Sequence, residues 1–128
     1  MRPRILLVDD DARVASMVRR LLVRSGFNVL TADDGSEVPS TLSTTRIDAI
    51  VLDLQMPGMN GWEVIRAIRD RLNERQLAGG VRPKIVVLTG RNEGETEAFV
   101  SRLGADAFLA KPVGSAEIVQ TLREVLAK

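Results

Sequence analysis

The chain has 128 residues, of which 45% are hydrophobic and 27% charged, and its formal net charge is +1. This length predicts a single domain, spanning residues 1–128, with a core of its own. The near-neutral charge and the scarcity of aromatic side chains argue against direct binding to nucleic acid or to a membrane surface. Because cysteine and histidine are both absent, disulfides, thiolate catalysis, Cys-based zinc sites and imidazole general bases are excluded.

The start of the chain is basic but does not read as a targeting segment. Its apolar run is ended by three aspartates after only a few residues, and no later run is long enough to cross a bilayer, so we expect a cytoplasmic protein. Arginines are concentrated at positions 2, 4, 13, 19, 20 and 24. Two interpretations stay open for them, a solvated helix face, which we favour, and a docking patch.

Five short runs rich in β-branched residues, separated by segments of helical periodicity, predict five strands. In chain order they are Ile5–Val8, Phe27–Thr31, Ala49–Asp53, Ile85–Thr89 and Asp106–Ala110.

The first two helices differ in how clearly the sequence marks them. The first carries an apolar stripe and ends at Gly26; its stripe residues are Val14, Met17, Val18, Leu21 and Leu22. The second is expected near Gly35–Thr45, but a proline inside a helix removes a backbone hydrogen bond. Pro39 therefore predicts that this helix starts late or is kinked.

Three more helices follow the third, fourth and fifth strands. The third is expected from about Gly61 to Leu72, and the fourth near Glu93–Leu103. The last helix repeats the apolar spacing of the first, with Ile118 and Leu122 on one face. The segment Asn73–Pro83 is polar and contains two adjacent glycines, which predicts a long surface loop.

Alternation of strand and helix predicts an α/β fold. Right-handed crossovers between successive strands give a doubly wound, five-stranded parallel sheet with helices on both faces. The continuously apolar internal strands agree with a sheet that is buried on both sides.

Polar groups follow four of the five predicted strands. Asp9 and Asp10 follow the first strand, and Asp53, Thr89 and Lys111 stand at or after the ends of the third, fourth and fifth strands. Because the first and third strands are neighbours in a doubly wound sheet, we expect their carboxylates to lie close together. Crowded carboxylates repel one another unless a cation intervenes, and oxygen ligands without histidine or cysteine favour Mg²⁺.

This arrangement predicts phosphoryl chemistry. Asp53 is central and is placed to attack phosphorus and form an aspartyl phosphate, while Lys111 and Thr89 stabilise the transferring oxygens. Simpler interpretations exist for the single residues: Asp11 or Asp10 caps the first helix, and Asp53 starts a turn. Thr89 and Lys111 are each weak signals, so the prediction depends on their joint placement.

These residues belong to four sequence motifs. With these motifs, the chain resembles the receiver domain of two-component response regulators over essentially its whole length. The motifs are Val8-Asp9-Asp10-Asp11, Asp53-Leu54-Gln55-Met56-Pro57-Gly58-Met59-Asn60-Gly61, Leu88-Thr89-Gly90 and Gly104-Ala105-Asp106-Ala107-Phe108-Leu109-Ala110-Lys111-Pro112. The resemblance implies a flavodoxin-like sheet with strand order 2-1-3-4-5.

The resemblance also implies a role for each site residue. Asp53 is the expected phosphoacceptor, with Asp10, Asp53 and the carbonyl of Gln55 binding Mg²⁺ directly and Asp9 acting mainly through water. Lys111 is expected to pair with the phosphoryl group. Thr89 and Phe108 are the expected switch residues, which couple the site to an output surface.

The implied partners are a sensor histidine kinase or histidine phosphotransfer protein and a downstream protein target. We expect a stand-alone switch that catalyses only its own phosphorylation and dephosphorylation and is otherwise not an enzyme; a phosphorylation-dependent dimer is one form it could take. Three alternatives stay open: a receiver cut from a longer regulator or hybrid kinase, a degenerate scaffold, and a Mg²⁺-dependent phosphohydrolase. The last is disfavoured because Gln55 stands where such enzymes carry a second acid. Three features depart from the family pattern. They are Pro39, Val113 and the long interval between Asp53 and Thr89.

Overall fold

A single parallel sheet forms the centre of the protein. The computed structural model describes residues 2–54, 61–71, 73–89, 102, 104–111 and 114–128. The order β2-β1-β3-β4-β5 confirms the expected topology. The strands are β1 (Arg4–Val8), β2 (Asn28–Ala32), β3 (Ala49–Asp53), β4 (Lys84–Thr89) and β5 (Ala107–Ala110).

The register of the sheet brings the carboxyl ends of its strands to one edge. Val8 pairs with Leu52, Asp53 with Leu88, and Thr89 with Ala110. Since all of these pairings are parallel, the carboxyl ends of β1, β3, β4 and β5 lie on the same side of the molecule.

Five predicted strand boundaries were wrong by one residue. The first and fourth strands begin one residue earlier than predicted, at Arg4 and Lys84, and the second strand ends one residue later, at Ala32. The starts of the second and fifth strands were each predicted one residue too early.

The second strand begins at Asn28, since the N–H of Phe27 donates to the carbonyl of Leu22 and its side chain is buried at the end of the first helix. The fifth strand begins at Ala107, after Asp106, whose carboxylate accepts from the N–H of Ile85 at 2.7 Å.

Helices cover both faces of the sheet, as predicted. One core cluster joins alternate strand residues such as Leu7 and Val51 to α1 (Ala12–Arg24) and the C-terminal helix (Ser115–Leu126). The other joins their neighbours, such as Leu6 and Ile50, to α2 (Val38–Thr44) and α3 (Gly61–Arg66). A π-helical turn (Ala67–Arg71) extends α3 to the expected length. The predicted fourth helix near Glu93–Leu103 falls almost entirely outside the described residues.

The late start predicted for the second helix is confirmed. A 3₁₀ turn (Gly35–Glu37) precedes α2, and Pro39 lies in the first turn of α2, where a missing N–H leaves no helical bond unmade. Hydroxyl groups of Thr41 and Thr44 donate to carbonyls one turn earlier, which satisfies polar side chains in a short helix.

The segment Asn73–Pro83 is more structured than the surface loop that the sequence predicted. It forms two 3₁₀ turns (Glu74–Gln76 and Ala78–Gly80), and Leu77 between them is buried in the core on the α2 and α3 side. The polar residues and the adjacent glycines indicated a loop, whereas the single leucine anchors this segment to the core.

The apolar stripe of α1 is buried less deeply than its spacing suggests. Only Leu22 is fully buried, and Met17, which we assigned to the stripe, is 68% exposed. Met17 instead lines an apolar cavity of ≈ 450 Å³ between α1 and the C-terminal helix, together with Leu21 and Ile118. The stripe therefore faces a groove as well as the core.

Asp11 caps α1, as its simpler interpretation proposed. Its carboxylate accepts from the N–H groups of Arg13 and Val14 at 3.0 and 3.3 Å. We expect Asp11→Ala to lower the free energy of unfolding by about 1 kcal/mol, because two helix-terminal N–H groups lose their acceptor. Asp11→Asn keeps an acceptor and should change stability little. Urea denaturation of both variants checks this, and equal losses would show that charge, and not capping, is the stabilising factor.

Within the part of the chain that the structure describes, no helix is both long and apolar enough to span a bilayer.

Candidate phosphoryl-transfer and metal site

Three carboxylates converge at the carboxyl edge of the sheet. Asp9 and Asp10 leave β1 and Asp53 ends β3, and one carboxylate oxygen from each lies within 4.8 Å of the others. Asp9 and Asp53 are each only 3% exposed, whereas Asp10 is exposed. The sequence predicted that these three aspartates lie close together, and the structure shows this.

Lys111 reaches this cluster from the end of β5. Its Nζ lies 2.8 Å from Oδ2 of Asp53, and its side chain is 30% exposed against 4% for the aspartate. A charge-assisted contact of this length to a buried carboxylate is a strong one. The lysine leaves the cluster with a formal charge of −2, since three carboxylates face one ammonium group.

Asp9 has an incomplete set of hydrogen bonds. Its Oδ1 accepts from the N–H of Asp11 at 2.9 Å, but its buried Oδ2 has no hydrogen-bond partner among the described residues. Burial raises the pKa of the Asp9 carboxyl, and the charges of Asp53 and Asp10 raise it further. The N–H of Asp11 and the Lys111 ammonium oppose that rise in pKa.

These residues fit a hard divalent cation. A buried carboxylate oxygen that has no hydrogen-bond partner among the described residues lies beside two more carboxylates, and Mg²⁺ prefers such ligands. A divalent ion would neutralise the residual charge of the cluster. Asp9, Asp10 and Asp53 are the described residues that would hold it.

The other predicted site residues are placed in part. Thr89 ends β4 opposite Ala110, at the same edge, but its side chain lies outside what the structure describes. Gln55, the predicted carbonyl ligand, also lies outside the described residues. Phe108 pairs with Val87 in the sheet and packs, half-buried, against the core cluster on the α2 and α3 side. Its switch role stays a prediction.

Sequence analysis missed the residues beside the cluster. A cavity of ≈ 530 Å³ adjoins Asp9 and Asp10, and its lining includes Arg19 of α1 and Asp33, the residue after β2. The signal was present, because β2 lies next to β1 and the residue that follows it must emerge at the same edge. Asp33 adds a further negative charge near the cluster.

Comparison with known proteins identifies the family. The sequence profile of the response regulator receiver domain matches residues 5–123. The chain belongs to the response regulator receiver family. The resemblance to receiver domains that the sequence indicated is therefore confirmed. The fold is that of a receiver of two-component systems.

Curated relatives of this receiver are longer proteins. It is 38% identical over 124 residues to the transcriptional regulatory protein PrrA of Mycobacterium leprae, covering 97% of this chain and 50% of that protein. It is 34% identical to the transcriptional regulatory protein CpxR of Escherichia coli, covering 96% of this chain and 49% of that protein. The chain thus spans about half the length of these relatives.

Solved receivers share the fold over the whole chain. The chemotaxis protein CheY4 of Vibrio cholerae superposes with a TM-score of 0.84 at 30% identity, covering 98% of this chain and 99% of that one. A putative response regulator from Chloroflexus aurantiacus superposes with a TM-score of 0.88 at 27% identity, with 100% of both chains covered.

The raised pKa of Asp9 gives the metal-free receiver a predictable dependence on pH. The folded state binds this proton more tightly than the unfolded chain, so stability is lost as pH rises from the unfolded pKa through the folded one. Asp9→Asn removes that loss, and we expect it to raise the free energy of unfolding at neutral pH.

Urea denaturation in the presence of EDTA, at acidic and at neutral pH, measures this effect. The gain should shrink at acidic pH, and excess Mg²⁺ should stabilise the variant less than the wild type, because a ligand is missing. Asp33→Asn, an exposed carboxylate at the same edge, is the matched control. A gain that is equal at both pH values would contradict the assignment to a buried, raised-pKa carboxyl.

Proposed function

We propose that this receiver takes up a phosphoryl group on Asp53 in a reaction that requires Mg²⁺. The observation that carries the proposal is a buried carboxylate that lies beside two further aspartates and 2.8 Å from the Lys111 ammonium. A nucleophile in such a position can approach phosphorus while a bound cation and the lysine balance the charge on the transferring oxygens.

The donor is a phosphohistidine on a sensor histidine kinase or a histidine phosphotransfer protein, because the chain itself contains no histidine. A carboxylate oxygen of Asp53 forms the new bond to phosphorus as the phosphorus–nitrogen bond breaks, and the imidazole leaves with the electron pair. Asp10, Asp53 and the carbonyl of Gln55 would hold the metal directly, with Asp9 acting mainly through water, and Lys111 pairs with a phosphoryl oxygen. When bound, Mg²⁺ supplies positive charge to the transferring oxygens.

Phosphorylation then acts as a switch. It adds roughly −1.5 to −2 charge at the edge of the sheet, and Thr89 donates to a phosphoryl oxygen as Phe108 follows it inward. A surface that includes β5 and the C-terminal helix changes its affinity for a downstream protein as a result. The curated relatives are named transcriptional regulatory proteins. A second form of the proposal is therefore that this receiver is one part of a longer regulator.

Intact-mass measurement tests the proposal. Incubation of the purified chain with acetyl phosphate and Mg²⁺ is expected to add the mass of one phosphoryl group, and EDTA is expected to prevent the addition. An adduct that forms equally well in EDTA would remove the metal from the proposal. Absence of an adduct with both acetyl phosphate and a phosphorylated kinase would overturn it, and steady turnover of a simple phosphate ester would favour a phosphohydrolase instead.

A further inference from the structure

A second charged site lies at the opposite edge of the sheet from Asp53. A cavity of ≈ 420 Å³ is bordered there by Arg2, Arg4 and Arg46, near the amino ends of β1 and β3. One carboxylate, that of Asp48, shares the cavity, so these four residues carry a formal charge of +2. These four residues thus carry more positive charge than the whole chain, whose net charge is +1.

Hydrogen bonds fix two of these arginines relative to each other. Oδ2 of Asp48 accepts from the backbone N–H of Arg4 at 2.8 Å, and Oδ1 lies 3.6 Å from Nε of Arg46. The Arg4 guanidinium donates to the backbone carbonyl of Arg46 at 3.3 Å. Asp48 therefore positions Arg4 and Arg46 and offsets only one of their two charges. Arg2 has no hydrogen bond or ion pair with any described residue.

The segment Asn73–Pro83 approaches one of the arginines that line the cavity, Arg46. Gly79 has a φ of +79°, and a Cβ added there would lie 2.8 Å from Cδ and 3.1 Å from Cγ of Arg46. The stem of Arg46 thus runs against the backbone of this loop, which leaves its guanidinium half-exposed at the cavity. Glycine at this position is needed for close approach as well as for its backbone conformation.

We infer that this cavity binds a small molecule that carries two or more linked phosphate groups. Guanidinium groups present planar pairs of donors that match phosphate oxygens, and several of them around one concave space suit a ligand with more than one phosphate. Pro3 and Leu126 supply an apolar wall for the remainder of such a ligand. The site is independent of phosphotransfer at Asp53, which lies at the other end of β3.

An acidic polypeptide is the competing occupant. The cavity volume is within the ~300–1,000 Å³ typical of small-molecule pockets, and its charged groups converge on one space. A docking surface for an acidic segment would instead need charges spread along an extended groove. The geometry favours the small ligand for this reason.

Calorimetric titration with inorganic pyrophosphate, in EDTA to remove divalent ions, is the first test. We expect pyrophosphate to bind more tightly than orthophosphate, and Arg46→Gln to weaken its binding about tenfold, equivalent to about 1.4 kcal/mol. Arg20→Gln removes the same charge from an exposed position on α1 and should leave the affinity unchanged. Equal losses in both variants, or equal affinity for the two anions, would overturn the inference.

A pair of glycine substitutions separates a built site from general charge attraction. Gly79→Ala should displace the Arg46 stem and weaken pyrophosphate binding several-fold without changing the net charge. Gly80→Ala places alanine at a similar φ of +71°, but its Cβ would meet nothing within 4 Å, so it controls for backbone strain. Loss of affinity in both variants or in neither contradicts the assigned geometry, provided that thermal melting shows both to be folded.

Two further measurements complete the test. Asp33→Asn, at the carboxyl edge of the sheet and outside the carboxylate cluster, should bind pyrophosphate as the wild type does, since the cavity lies at the opposite edge. A short polyglutamate peptide that binds more tightly than pyrophosphate, with the same dependence on Arg46, would identify an acidic protein as the occupant and overturn the small-ligand inference.

Discussion

Asp53→Asn is expected to abolish formation of the phosphoryl adduct. The amide that replaces the carboxylate is not a nucleophile, and loss of a covalent nucleophile lowers a rate by on the order of 10³-fold or more. The substitution also removes the partner of Lys111, whose Nζ lies 2.8 Å from Oδ2 of Asp53. Intact-mass measurement after incubation with acetyl phosphate and Mg²⁺, over a time course, gives both the extent and the rate.

The matched control for Asp53→Asn is Asp33→Asn. Asp33 follows β2 at the same edge and lines the adjoining cavity, but it is exposed and lies outside the group of carboxylates that could share a metal ion. We expect it to form the adduct at nearly the wild-type rate. Adduct formation by Asp53→Asn at that same rate would place the phosphoacceptor on another residue.

Lys111→Gln is expected to change metal binding and phosphorylation in opposite directions. Removing the ammonium group takes a positive charge from a cluster of three carboxylates, so affinity for Mg²⁺ should rise about three- to tenfold. The rate of adduct formation should nevertheless fall about 10²-fold, because the lysine is proposed to stabilise charge that develops on the transferring oxygens. Mg²⁺ titration and the phosphorylation time course measure the two effects separately.

A variant that merely unfolds cannot produce this combination, since unfolding would weaken both activities. Lys128→Gln removes an equal charge at the exposed end of the chain and should change neither quantity. Lys111→Arg keeps the charge and should recover part of the rate. If Lys111→Gln lowers Mg²⁺ affinity as well as the rate, the lysine positions the metal ligands and does not act on the phosphoryl group.

Hydrophobic periodicity and strand composition were sufficient to predict most of the fold. β3 begins and ends at its predicted residues, and the other strands differ from prediction by one residue at one or both ends. Pro39 correctly indicated a late start for α2, because its effect is local to one turn. Phe27 was misplaced because its N–H bonds to Leu22, a contact that pattern alone does not reveal.

Burial was harder to infer from the sequence. Met17 has the spacing of a core residue yet is 68% exposed, since the groove between α1 and the C-terminal helix stays open. Leu77 appeared to be an isolated leucine in a polar loop, yet it is buried in the core on the α2 and α3 side. Both outcomes depend on how neighbouring elements pack, and this is a property of the assembled chain.

The sequence by itself determined which strands exist and that Asp9, Asp10, Asp53 and Lys111 follow them. Only the tertiary structure decided that three carboxylate oxygens lie within 4.8 Å of one another and that Lys111 contacts Asp53. It also decided that Asp9 keeps a buried oxygen to which no described residue donates. It alone also brought Arg2, Arg4 and Arg46 around one cavity. The physical reason is that strand formation depends on neighbours along the chain, whereas these distances depend on register and packing between residues far apart in it.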